Sequence, residues 1–418
     1  MLKIEKNKRA LLKNTVMLYI LNFSTYLISF ATVPYQTRVL GVEMCGLVSV
    51  ANALMVYFQL VIDFGFLLSA THEVSLNREN TKKLSEIFSS VTYGKFGLIL
   101  ISAVTLFALC YVVPSWQKNK ELFYLFFLST AVGSLLPDYL YRGIERMGVI
   151  TVRTVSIKIF FALLIFVFVK APEDYIFIPV INLFGNIIAL VGVYIHMRCK
   201  LAVGFVNCSS KQVLSRFKTS SMFFISRIAT TVYTAANTII LDLISGAGST
   251  AFYSSADKLV STAKKTMSPL SDSLYPYMVK NKDFKLVKKV LLLIEPIVIL
   301  GCIIVFIWAK PLCIWFFGKE FAPTAAALRA LLPTVTIILP SYIFGFPVLS
   351  AMGLSKYANY SVIVASVIHI INLIILYVTN NMTIITLGIA TSIAEALILI
   401  YRLCVVYKNR HLMRGNNE

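Results

Sequence analysis

Twelve stretches of this chain are apolar over the length needed to cross a lipid bilayer, and no other feature limits its fold so tightly. A helical crossing needs roughly 20 consecutive, mostly apolar residues. In the first half such runs fall near residues 12–34, 44–70, 88–112, 121–142, 149–170 and 174–197. In the second half they fall near 218–243, 250–278, 289–309, 323–350, 357–379 and 382–407. Each segment has to close its own backbone hydrogen bonds, so the expectation is an all-α polytopic membrane protein. The composition agrees, at 58% hydrophobic and only 14% charged, where a soluble domain carries about a quarter charged residues.

The formal net charge is +20, which in a soluble chain would point to nucleic acid. Placement decides its meaning. Most of the 39 Lys and Arg residues lie at the two ends and in every second connection. The alternate connections hold only Arg38, Lys118, Lys120, Lys170, Lys310 and Lys319. That asymmetry predicts a multi-pass protein with both termini cytoplasmic, and it removes nucleic acid as a partner. The amino terminus is basic and then apolar, but no small-residue cleavage site follows a short apolar core. It reads as a first span rather than a signal peptide.

The basic stretch "RCKLAVGFVNCSSKQVLSRFK" (198–218) divides the chain. Residues 1–197 are expected to form an amino-terminal six-helix lobe, 198–217 a cytoplasmic linker, and 218–418 a carboxyl-terminal six-helix lobe. Shifting the sequence by 205 positions pairs 11–54 with 216–259 without a gap. Lys13 then meets Lys218, Gly41 meets Gly246, and Ser49 meets Ser254. Six spans separate the copies, so both have the same orientation. Such parallel repeats suit an alternating-access transporter of twelve helices, with a central cavity between two lobes.

One span is unusually polar. In "FYSSADKLVSTAKKTMSPLSDSLYPYM" (252–278), Ser254, Lys258, Ser261, Lys265, Ser268, Asp272 and Tyr275 share one helical face at 100° per residue. Asp257 and Lys264 sit at its edge, and Ala256, Leu259, Val260, Ala263, Met267, Leu270 and Leu274 form the other face. Charges at membrane depth are costly unless they meet water or partners, which marks this stripe as functional. Arg227 and Arg329 add positive charge in other spans. Asn237 is neutral and suited to bonding a sugar hydroxyl, and Glu295 and Glu395 are isolated carboxylates. A net-positive interior favours an anionic passenger, phosphate above all. Near the inner surface, "PDYLYRGIERM" (137–147) sets Asp138 and Arg142 at i,i+4 with Glu145 following. This is a salt-bridge cluster that either anchors the helix or serves substrate entry.

Catalytic chemistry is poorly represented. The four histidines have no HExxH or triad partners, there is no GxxxxGK[ST] loop, and the seven cysteines show no metal or redox spacing. No enzyme activity, metal or cofactor is expected. The alternatives are an ion-coupled exporter of small molecules, which for a cationic drug would need an acidic interior, and a membrane glycan polymerase, which would need a large external loop.

Three segments carry a resemblance. "VPYQTRVLGVEMCGLVSVANAL" with "DFGFLLSATHEVSLNREN", then "LLPDYLYRGIERMGVITVRT", and "FYSSADKLV" are similar to signatures of the O-antigen flippases, the Wzx type within the multidrug/oligosaccharidyl-lipid/polysaccharide (MOP) exporter superfamily. His72 stands where an Arg is common. The resemblance implies a bacterial inner-membrane protein that moves undecaprenyl-pyrophosphate-linked oligosaccharide repeat units from the cytoplasmic to the periplasmic leaflet. It implies membrane lipid around the protein, and a glycan polymerase and chain-length regulator of the same pathway as partners. Arg227, Asn237, Lys258, Lys265 and Arg329 would hold the pyrophosphate and sugar. Asp257, Asp272, Glu295 and Glu395 would be the candidates for ion coupling.

Overall fold

Helices follow one another almost without interruption through the described residues, as the apolar runs require. The computed structural model describes residues 2–413, and side chains from Val16 onward except at positions 18, 225, 226, 229–234, 276 and 413. The basic side chains at Lys3, Lys6, Lys8, Arg9 and Lys13, and the repeat partners Ile225 and Thr230, lie outside what is described. In chain order the helices are α1 (Leu2–Asp63), α2 (Phe66–Leu76), α3 (Thr81–Val112), α4 (Pro114–Lys118), α5 (Lys120–Ser134), α6 (Asp138–Gly143), α7 (Met147–Phe168) and α8 (Phe177–His196). Then come α9 (Ser210–Asn281), α10 (Phe284–Ile307), α11 (Ala309–Phe317), α12 (Thr324–Ile343), α13 (Leu349–Ala351), α14 (Ser355–Val378) and α15 (Ile384–Lys408). No strand occurs among the described residues.

Nine segments among the described residues are long and apolar enough to cross a membrane by length and composition, making this a multi-pass membrane protein. One of them, Tyr19–Leu76, is 58 residues long, well beyond the roughly 20 that one crossing needs. The 72-residue α9 is not among the nine; its second arm carries the polar stripe.

The two longest helices are each bent at one glycine. Gly41 breaks α1 with φ 67° and ψ −175°, and Gly246 breaks α9 with φ 77° and ψ 176°. These are the residues that the 205-position shift pairs, and they share one backbone conformation. That region is open essentially to glycine alone, since any Cβ clashes there. The paired serines also meet, Ser254 Oγ donating to Ser49 Oγ at 2.9 Å.

The chain divides into two compact units, residues 1–40 with 51–231, and 41–50 with 232–418. In the first, Phe66, Val74, Ile87, Phe88, Tyr139, Leu140, Tyr141 and Ile150 form the core where α2, α3, α6 and α7 meet. The connection expected as a free linker is pinned to α3. Backbone N–H groups of Gly204 and Val206 donate to Ser85 Oγ and Ser89 Oγ, and Val203 is buried. Burial pushes the Cys208 thiol up, with the Glu86 carboxylate adding in the same direction. Helix α9 then starts at Ser210, inside the expected linker. Its early turns pack on α2 through Ser69–Ser220 at 2.6 Å, the Glu73–Arg216 ion pair, and Phe217 against Phe64 and Phe66. The division by contact thus falls later than the basic stretch suggested, because apolar packing outweighs surface charge in deciding where the helix belongs.

In the second unit, Leu339, Ile343, Val348, Leu349 and Ala358 pack against Leu274 and Met278 of α9. Arg402 is buried inside α15. Its guanidinium donates to the carbonyl and hydroxyl of Ser341 on α12 and to Ser361 Oγ and the Ala358 carbonyl on α14. Carbonyl and hydroxyl oxygens replace the water this charge would otherwise need.

Gly41→Ala and Gly246→Ala should each cost about 1–3 kcal/mol through backbone strain. Gly97→Ala, in α3 with open space around it, should be neutral or stabilising by up to about 1 kcal/mol. Thermal unfolding of the three variants in one detergent separates these outcomes.

Candidate functional site

The second arm of α9 places its side chains as the helical period demands. Lys258, Lys265, Asp272 and Tyr275 are exposed, whereas Ala256, Val260 and Leu274 are buried and Leu259, Ala263, Met267 and Leu270 are half-buried. The two lysines lie seven residues apart, about 10 Å along the axis at 1.5 Å per residue.

Lys264, at the stripe's edge, behaves differently. Its Nζ donates to Glu395 Oε1 of α15 at 2.5 Å, with the Glu395 side chain only 3% exposed. The pair removes Lys264 from the positive stripe, and it removes Glu395 from the isolated carboxylates.

Asn237 is in a buried network rather than at a surface. Its Nδ2 donates to Tyr253 Oη and to Thr391 Oγ1, each at 2.9 Å, and its Oδ1 accepts from His369 Nε2 at 2.9 Å. Tyr253 Oη and Thr391 Oγ1 are themselves 3.2 Å apart. This network ties both arms of α9 to α14 and α15. The amide therefore serves helix packing, which its position in the sequence could not distinguish from sugar binding.

Arg329 on α12 is turned to α10. Its Nε donates to the Phe306 carbonyl at 3.0 Å, and its guanidinium lies 5.5 Å over the Phe306 ring. Arg227 is half-buried on the first arm of α9 and belongs to the first unit, whereas Lys258, Lys265 and Arg329 belong to the second. Of the proposed coupling carboxylates, Asp257 is half-buried beside Lys258 in the chain, and Asp272 is exposed. Glu295 on α10 is half-buried, its Oε2 enclosed without a hydrogen-bond partner among the described residues.

The expected Asp138–Arg142–Glu145 cluster is paired otherwise. Asp138 accepts from Arg153 Nη1 at 2.8 Å and Nη2 at 3.3 Å, and Glu145 meets Arg78 at 2.8 Å. Arg142 Nε is enclosed without a hydrogen-bond partner among the described residues. Asp138 opens the six-residue α6, and side chains in a helix lean toward its amino end. Its carboxylate is thereby carried away from the i+4 arginine and toward α7.

Three further ion pairs had no signal in the spacing. Lys95 Nζ donates to Asp63 at 2.8 Å and to the Ser134 carbonyl, Arg216 meets Glu73, and Lys264 meets Glu395. Their partners are far apart in sequence, so no periodicity reports them. No cluster of His, Cys, Asp and Glu able to hold a metal ion occurs among the described residues.

Lys264→Ala should strand a buried carboxylate and cost about 3–5 kcal/mol of stability. Adding Glu395→Gln should recover most of that loss, and thermal unfolding of the single and double variants checks it.

Comparison with known proteins follows this architecture. A protein of Escherichia coli (strain K12) named "Putative O-antigen transporter" is 26% identical over 418 residues, covering 97% of this chain and 99% of its own length. A protein of the same name from Shigella dysenteriae is 26% identical over 368 residues, covering 86% and 91%. Among solved structures, the lipid II flippase MurJ in an inward closed conformation matches with a TM-score of 0.69 at 17% identity, over 95% of this chain and 87% of that one. An inward-facing multidrug resistance MATE family transporter of the MOP superfamily matches with a TM-score of 0.71 at 11% identity, over 95% and 99%. The fold is thus the helical fold shared by MurJ and the MATE transporters. The family described as "Polysaccharide biosynthesis protein" matches residues 11–282, close to two thirds of the length, and the chain belongs to that family.

Proposed function

We propose that this protein is a transporter, a flippase that carries lipid-linked polysaccharide repeat units across the bacterial inner membrane. Its substrate is an undecaprenyl-pyrophosphate-linked oligosaccharide, moved from the cytoplasmic to the periplasmic leaflet by a chain of twelve spans with both termini cytoplasmic. The observation that carries this reading is the cationic stripe on α9 in a chain of this family. Lys258 and Lys265 stand exposed on the polar face of this helix, where they suit a diphosphate. The relatives named as O-antigen transporters and the likeness to a lipid II flippase support it.

The physical task fits those groups. A diphosphate and a glycan both resist hydrocarbon, whereas a polyprenyl tail prefers it. A protein that supplies ammonium and hydroxyl groups in place of water lowers the barrier for the head group and leaves the tail in lipid. Alternating exposure of the site to the two membrane faces then gives transport without covalent chemistry. Movement of a coupling ion would fall to Glu295, Asp257 and Asp272, ahead of the paired Glu395.

Deleting the gene should leave single lipid-linked units on the inner leaflet, read by leaflet-resolved analysis of the lipid intermediate. Units that reach the outer leaflet but stay unpolymerised would overturn the reading in favour of a polymerase. The Lys258→Ala/Lys265→Ala double variant should insert and fold normally yet lower surface glycan by about tenfold or more. Normal glycan output from that variant would remove the stripe from the site.

A further inference from the structure

The first unit contains a polar cavity that neither the family nor the stripe accounts for. It has a volume of about 480 Å³ and is walled by α1, α5, α6, α7 and α8, a size typical of small-molecule sites, which run from about 300 to 1,000 Å³. Four carboxamides reach it, from Asn52 and Gln59 on α1 and from Asn182 and Asn186 on α8, together with hydroxyls of Thr and Ser residues on three helices. Asn186 is a wall group, since its Nδ2 donates to the carbonyl and hydroxyl of Ser129 at 3.0 and 3.1 Å. Asn52 and Gln59 are exposed, so water enters.

Charge in the cavity is limited. Asp138 and Arg153 line it as a closed ion pair, and Lys158 donates to Thr25 Oγ1 at 2.9 Å. A metal ion is poorly served, because the one carboxylate is bound by a guanidinium. A diphosphate is poorly served too, since Arg153 is held by Asp138 and Lys158 is turned to the Thr25 hydroxyl. An apolar ligand would strand the amides. What suits amides and hydroxyls is a ligand whose groups both donate and accept, as sugar hydroxyls and acetamido groups do. Phe161 at the wall offers an apolar face for the C–H side of a sugar ring.

We propose that this cavity is a sugar-binding site, taking the neutral hydroxyl- and amide-bearing part of the transported glycan. The inference rests on the flippase reading and adds to it the group that recognises the glycan. It makes selection among repeat units a property of the first unit, through Gln59 and Asn182 above all.

The test uses the full-length protein in detergent and two probes, bare undecaprenyl pyrophosphate and the native lipid-linked repeat unit extracted from the cells that make it. Affinities are read by native mass spectrometry for the wild type, Gln59→Leu and Asn182→Leu. The wild type should bind the glycan-bearing lipid more tightly than the bare lipid, and each variant should cut that advantage by about tenfold. Unchanged bare-lipid affinity in the same samples shows that the variants are folded, and Gln59 lies at an exposed position outside the core. An advantage that survives both substitutions, or that is missing in the wild type, overturns the sugar site and leaves the flippase reading standing. Failure of the wild type to bind either lipid overturns the flippase reading itself.

Discussion

A bilayer interior holds no water with which to satisfy a polar group, and the rest of this molecule depends on that constraint. Every helix closes its own backbone hydrogen bonds, and most charges at membrane depth have found a partner in the protein. Lys95 has Asp63 and a carbonyl, Lys264 has Glu395, Arg153 has Asp138, and Arg402 has the oxygens of two neighbouring helices. Against that background, Lys258 and Lys265 stand out because they remain exposed.

The multi-pass helical character was legible because bilayer thickness imposes a length, and length survives without any knowledge of contacts. The face of α9 was legible because the helical period alone sorts Lys258 and Lys265 from Ala256 and Val260. The duplication was legible at Gly41 and Gly246, whose shared conformation only glycine adopts easily. What stayed hidden is pairing over distance. Lys264 and Glu395 lie 131 positions apart, so one looked like an edge member of the polar stripe and the other like an isolated carboxylate. Asn237 looked available because its three partners come from the second arm of α9 and two later helices. Asp138 looked like an i,i+4 partner of Arg142, although the direction in which it leaves a six-residue helix turns it to Arg153. The polar cavity was hidden for the same reason. Its amides are single residues on separate apolar helices, and nothing but folding gathers them.

On the proposed reading, the two polar features divide the labour along chemical lines. The exposed lysines of the second unit carry net charge and suit the diphosphate, which glycan lipids have in common. The cavity of the first unit carries amides and hydroxyls and suits the glycan, which differs from one repeat unit to another. A protein arranged in this way can change its sugar preference through neutral substitutions on α1 and α8 while leaving its grip on the lipid head group intact.

The glycine bends also decide how such a chain can be studied. At Gly41 and Gly246 the polypeptide turns within a helix that is nearly continuous, so no loop stands there to be lengthened. A reporter, an epitope or a protease site placed at either bend would sever hydrogen-bonded helix. The connections at 169–171 and 379–383 lie between separate helices and can take such insertions. Sidedness mapping of this chain therefore has fewer usable positions than its number of turns implies, and silence from a tag at residue 41 or 246 would report a broken helix rather than a buried loop.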